Sequence, residues 1–94
     1  MWAALAAVGR DPDTGAYRRG GWTPTEREAT HWFLDQCTTR GLTVESDGIG
    51  NHIAWWGPPE GAGVVTGSHL DSVIDGGAFD GPLGVVSADR KSVV

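Results

Sequence analysis

The stretch Gly67-Ser68-His69-Leu70-Asp71-Ser72-Val73, followed by Gly76-Gly77-Ala78-Phe79-Asp80-Gly81, narrows what this chain can become more than any other part of it. It brings one imidazole, His69, and two carboxylates, Asp71 and Asp80, into a glycine-rich segment directly after the apolar run Val64-Val65-Thr66. A short β-branched run of that kind reads as a buried central strand. The residues after it then lie at the strand's C-terminal mouth, where open α/β sheets keep their active sites.

His69 is a candidate metal ligand through a neutral imidazole nitrogen. Asp71, two residues on, can take a hydrogen bond from the other ring nitrogen and so fix the ring's tautomer and orientation. Asp80 follows across a glycine loop that lets the chain fold back, and its two oxygens can bridge two cations around a shared water. Glycines 76, 77 and 81 permit close backbone approach and unusual φ there. Taken singly, a histidine after a strand is more often structural, and an aspartate among glycines more often forms a turn. His31, on a helix flank, and His52, on a strand with no carboxylate near it in sequence, are read as non-ligands. Asp75 is read as a turn cap, and Trp55 and Trp56 as packing residues that face opposite sides of their strand.

Rival chemistries are weaker. The glycine loop lacks both Gly-x-x-x-x-Gly-Lys-Ser/Thr and Gly-x-Gly-x-x-Gly, and two carboxylates repel phosphate. Ser68 has no glycine-flanked nucleophile elbow, and Cys37 lies on an apolar helix face. As the single cysteine, it also excludes an internal disulfide or a cysteine knuckle. A net charge of −5 argues against nucleic acid or an anionic membrane as partner. No apolar run is long enough for a bilayer span, and the apolar opening at residues 2–8 lacks a basic lead-in, so it reads as a helix rather than a signal peptide. A soluble protein in a cytoplasmic setting is the expectation.

A chain of 94 residues supports one small domain. Residues 2–8 read as a short helix stopped by Gly9, and Asp11-Pro12-Asp13-Thr14-Gly15 as a turn. The next helix is the best signalled: Thr23 as cap, Pro24 at the first helical position and Glu26 completing a capping box. Ala29, Trp32, Phe33 and Cys37 make its apolar stripe, and Gly41 ends it. Alternation from Leu42 to Asp47 predicts a strand, residues 47–51 a turn, and residues 52–56 its partner. A last helix is expected over 81–88. This order fits an α/β domain. Residues 89–94, Asp-Arg-Lys-Ser-Val-Val, match one frame of a common short-read sequencing adapter up to its stop codon, so native sequence is expected to end near Ala88 with a non-native tail behind it.

The run from Val65 to Val73, continued by Gly76-Gly77-Ala78-Phe79-Asp80-Gly81-Pro82-Leu83-Gly84-Val85, resembles the dinuclear metal motif of the hydantoinase/carbamoylase family. That family embraces allantoate amidohydrolase, N-carbamoyl-L-amino-acid hydrolase and β-ureidopropionase, within the aminoacylase-like metallopeptidase superfamily. Residues 19–26 resemble the family's Arg-x-x-aromatic-Ser/Thr-x-x-Glu/Asp approach to a helix. Gly41-Leu42-Thr43-Val44 with Asp47 and Gly50-Asn51 resembles its next hairpin. The likeness covers about residues 2–88. It implies the N-terminal part of a zinc-peptidase-like α/β catalytic domain, a mixed sheet flanked by helices, truncated before the glutamate general base and the later ligands. It also implies His69 as ligand to one metal, Asp80 as bridging ligand to two, Asp71 as the catalytic residue that orients His69, and two divalent ions (Zn, or Mn, Co or Ni). The implied reaction is hydrolysis of carbamoyl or ureido C–N bonds by a homodimeric parent, with the present piece inactive alone. A peptidase or deacylase of the same superfamily, or a small non-catalytic binding module, stands as the alternative.

Overall fold

A computed structural model describes residues 2–92, with side chains described as far as Ala88. Positions 93 and 94, the end of the segment read as a non-native tail, lie outside the described residues. Three helices and one hairpin form: α1 (Trp2–Ala7), α2 (Pro24–Thr39), β1 (Thr43–Ser46), β2 (His52–Trp55) and α3 (Pro82–Ser92). Among the described residues, no helix is long and apolar enough to cross a membrane.

α2 starts where its local chemistry says it must. The Thr23 hydroxyl accepts the Glu26 N–H, and Pro24 occupies the first turn, where a missing N–H costs nothing. The capping box closes differently from the expectation. The Thr23 N–H is taken by the Gly20 carbonyl, so the Glu26 carboxylate accepts instead from the Trp22 N–H at 3.2 Å. Trp22 stands at φ +64, which turns that N–H toward the helix. Ala29 and Cys37 are buried, and Trp32 and Phe33 half-buried, along the expected stripe. Gly41, at φ +68, ends the helix in the left-handed conformation that glycine adopts without strain.

β1 and β2 pair antiparallel, with Thr43 opposite Trp55, Val44 opposite Ala54, Glu45 opposite Ile53 and Ser46 opposite His52. β2 stops at Trp55. That residue is half-buried while Trp56 is 73 % exposed, the opposite-facing pair expected. The connecting turn is built on Asp47, whose carboxylate accepts from the Ile49 and Asn51 N–H groups at 2.9 Å each and from the Asn51 side-chain amide at 2.7 Å.

The central strand expected at 64–66 does not form. Val64 is 99 % and Val65 87 % exposed, and β1 and β2 are the only strands among the described residues. Strand preference is mostly a preference for flanking strands and a covered face. Residues 64–66 have neither here. The segment leading to His69 is therefore an extended loop, and what positions the histidine must come from elsewhere.

It comes from the core. Leu5 of α1, Val8 and Ala29 of α2 form a buried cluster, with Trp32, Leu70 and Val86 packed against it. Leu70 lies between His69 and Asp71, so the cluster grips the chain at the middle of the motif.

The three donors around Asp47, the Asn51 side chain first, hold its carboxyl below the ordinary aspartate value. A depressed native value means the turn's stabilisation is whole above the unfolded value of about 3.9 and is lost as pH falls through the native one. In an acid titration followed by NMR, the Ile49 and Asn51 amide protons should therefore move with a shared midpoint below about 3.9. A midpoint at or above that value would remove Asp47 from the turn.

Candidate metal centre

His69 and Asp71 meet as a pair. The His69 Nδ1 lies 3.1 Å from the Asp71 Oδ1 and 3.0 Å from the Asp71 carbonyl oxygen. Two acceptors on one side of the ring put the proton on Nδ1, which leaves a lone pair on Nε2. That Nε2 faces the Asp80 Oδ1 at 3.8 Å. The separation is too long for a hydrogen bond. It is within the reach of two metal–ligand bonds of about 2.0–2.2 Å each to a single zinc-sized cation. A cation placed between that lone pair and the carboxylate oxygen would meet a donor on each side. The donor chemistry thus fits a divalent ion, with all three side chains about half exposed. The donors do not close a site: among the described residues, no three His, Cys, Asp or Glu side chains converge on one point.

Glycine lets Asp80 come this close. Gly81 sits at φ +68, and a Cβ there would collide with the His69 carbonyl oxygen and stand 2.7 Å from its Nδ1. At Gly84, in the first turn of α3, a Cβ would lie 2.6 Å from the Ser68 Cβ. α3 therefore seats its N-terminal end directly on Ser68 and His69.

The loop between the two ends of the motif is tied to residues 17–19. Tyr17 and Gly76 exchange backbone hydrogen bonds at 2.9 and 3.0 Å. The Arg19 N–H donates to the Ser72 Oγ at 2.9 Å, and the Ser72 N–H returns to the Arg19 carbonyl at 2.8 Å. Asp75 does not cap a turn as expected. It stands at φ +58, with its carboxylate on the Arg18 Nε at 2.9 Å. Trp2 stacks on Phe79, centroids 5.5 Å apart, beside Asp80.

His69 and Asp71 open onto a groove between α2 and the hairpin turn, shared with Glu26, Thr30 and His52. His52 engages the Ser46 hydroxyl through Nδ1 at 2.6 Å and tilts against Phe33. His31 is exposed on α2, and Cys37 is buried on its inner face.

No protein-family model matches the chain. Individual proteins do. A crystal structure of a hydantoinase/carbamoylase family amidase from Burkholderia ambifaria superposes with a TM-score of 0.82 at 36 % identity, over 92 % of this chain and 22 % of that one. An N-carbamoyl-L-amino acid amidohydrolase of Geobacillus stearothermophilus is 42 % identical across 88 % of this chain and 20 % of its own length. The chain belongs to the hydantoinase/carbamoylase family. Allantoate deiminase 1 of Glycine max is 36 % identical over 92 % of this chain and 18 % of its own length. The chain thus spans about a fifth of the length of the relatives it matches.

One residue that shapes this family motif escapes a reading of the sequence for chemistry. Arg19 is 1 % exposed, its Nε donating to the Val8 carbonyl and its Nη2 to the Leu5 carbonyl, each at 2.8 Å. Its one signal was its fixed place ahead of the Thr23 cap, because arginine is ordinarily a surface residue.

The close approach of Gly81 makes a direct test. Gly81→Ala should cost at least about 1–3 kcal/mol, from the positive φ and the collision with His69. Gly77→Ala, with open space around it, should stay within about 0.5 kcal/mol. Paired denaturant melts measure both, and equal losses would mean that α3 is not seated on His69.

Proposed function

We propose that the intact protein is a metal-dependent amidohydrolase that cleaves carbamoyl or ureido C–N bonds in substrates such as N-carbamoyl amino acids or allantoate, and that this chain supplies the first half of its metal centre. The observation that carries the reading is the Nε2 lone pair of His69 held opposite the Asp80 carboxylate by Asp71. The relatives named for N-carbamoyl-L-amino acids and allantoate support the substrate class. A cytoplasmic, homodimeric parent belongs to the same proposal.

On this reading, His69, through Nε2, and Asp80 would hold the ions. Divalent ions bound there, zinc or else manganese, cobalt or nickel, would supply Lewis-acid chemistry for acidifying water and polarising a carbonyl. Asp71 accepts from Nδ1, so that Nε2 is the nitrogen offered to the ion. Gly81 keeps Asp80 within range. A tight catalytic site uses about three protein ligands for each zinc. His69 and Asp80 alone fall short of that, so the 94-residue chain by itself is inactive.

Two measurements test the proposal. Ammonia release from an N-carbamoyl amino acid or allantoate by the 94-residue chain, supplied with Zn²⁺ or Mn²⁺, should not exceed the buffer rate; turnover would refute the claim that ligands are missing. In the intact protein, His69→Ala and Asp80→Asn should abolish metal retention together with hydrolysis, and Asp71→Asn should lower activity about 10–100-fold. Full metal content in the His69 and Asp80 variants would overturn the assignment.

A further inference from the structure

The segment carrying His69, Asp71 and Asp80 has little internal structure of its own. It follows an exposed extended stretch, and its three polar side chains are half in solvent. Its shape is imposed from α1 by two routes. One runs through Arg19, whose backbone grips Ser72, the residue after Asp71, by a reciprocal pair of hydrogen bonds. The other runs through Trp2, which stacks on Phe79, the residue before Asp80. α1 is thus linked to the motif at Ser72, by way of Arg19, and at Phe79, by way of Trp2. The tie between α1 and the first of these contacts is the Arg19 side chain. It spans the Leu5 and Val8 carbonyls at the end of α1, and its guanidinium lies 4.4 Å above the Tyr17 ring. The Tyr17 hydroxyl in turn donates to the Ala6 carbonyl at 2.7 Å.

We infer that Arg19 is a positioning residue of the proposed metal centre: by locking residues 17–19 to the end of α1, it sets where Asp71 stands under His69 and, with Trp2, how wide the gap to Asp80 is. The inference rests on the metal reading above. Arg19 touches neither substrate nor ion and acts only through Ser72 and Asp71. Its geometry needs a planar fork that reaches two carbonyls three residues apart, which a lysine's single ammonium does not supply. A role in stability alone would lower the melting temperature and leave the ligand field of a bound ion unchanged.

The test compares Arg19→Lys, Arg19→Met, Ser72→Ala and His69→Ala in the intact protein. Co²⁺ titration reads affinity and visible absorption, and NMR of the metal-free protein reads the His69 Nδ1 proton. Both Arg19 variants should bind Co²⁺ about 10–100-fold more weakly, with a changed absorption band and a shifted Nδ1 resonance. Ser72→Ala should move all three in the same direction. His69→Ala should bind no Co²⁺ at the site. Wild-type binding by His69→Ala would sink the metal reading itself. Loss in His69→Ala, with wild-type affinity, band and Nδ1 resonance in the Arg19 variants, would sink the positioning role and leave the metal reading standing. Should the Arg19 variants fail to fold, Ser72→Ala decides: it keeps every Arg19 side-chain contact, so a wild-type band and resonance there overturn the proposal.

Discussion

A guanidinium 1 % exposed in a domain of this size is the constraint around which the rest is arranged. Burying a charge is costly unless its donors are met. Here two of them are met by carbonyls at the end of α1, where the helix dipole is negative and a cation is favoured. The Tyr17 ring adds a cation–π contact on one face. Nη1 is buried without a hydrogen-bond partner, and burial draws the group below its ordinary value, against the opposing pull of Tyr17. An arginine stays charged through such a shift. The benefit is mutual: a six-residue helix is too short to persist unaided, and the Arg19 and Tyr17 side chains satisfy three carbonyls of its last turn and the residue after it. Gly9, at φ +71, makes the arrangement possible, since a Cβ there would lie 2.9 Å from the Arg19 Cγ.

From that anchor the site follows in short steps. Residues 17–19 run extended, and each does separate work: Tyr17 pairs with Gly76, Arg18 holds Asp75, and Arg19 holds Ser72. The loop between the histidine and the second aspartate is thereby fixed at three points without a sheet. Leu70 in the core and Gly81 against His69 fix its ends. Polar and apolar restraints divide the task. Core contacts set how deep the motif sits, and backbone hydrogen bonds set its register along residues 17–19.

What the sequence made legible was whatever is decided locally. The start of α2 is written in Thr23, Pro24 and Glu26 and its end in Gly41, because caps depend on one residue's side chain or φ. The hairpin follows from alternation and from an aspartate able to collect its own turn's amides. The pairing of His69 with Asp71 was legible for the same reason, two residues of separation. Decisions made at long range were not. Residues 64–66 have strand-forming side chains, but a strand exists only where neighbours complete it. The burial of Arg19 depends on carbonyls 11 and 14 residues away, and composition gives no hint of them. The glutamate of the capping box missed by one residue because Trp22 adopts a left-handed φ after two glycines, a choice that no propensity announces.

Part of the exposed apolar surface gathers around the proposed metal motif. Val64, Val65, Val73, Ile74 and Phe79 lie within or beside the His69–Asp80 segment and are all more than half exposed, as Trp22, Ile49 and Trp56 are elsewhere, while Leu5, Val8 and Ala29 form the buried cluster where α1 and α2 meet. Apolar side chains exposed near one another in this way suit an interface. The chain spans about a fifth of its relatives' length. Among the described residues, the donors of the proposed metal centre are fewer than a closed site needs. The side that Arg19, Leu70 and α1 organise is built, and its donors already face each other. Among the described residues, nothing completes a coordination sphere around those donors or covers Val64 and Val65. Because metal affinity and folding share the free energy of ordering the ligands, ions held at the proposed centre would also steady the segment between His69 and Asp80.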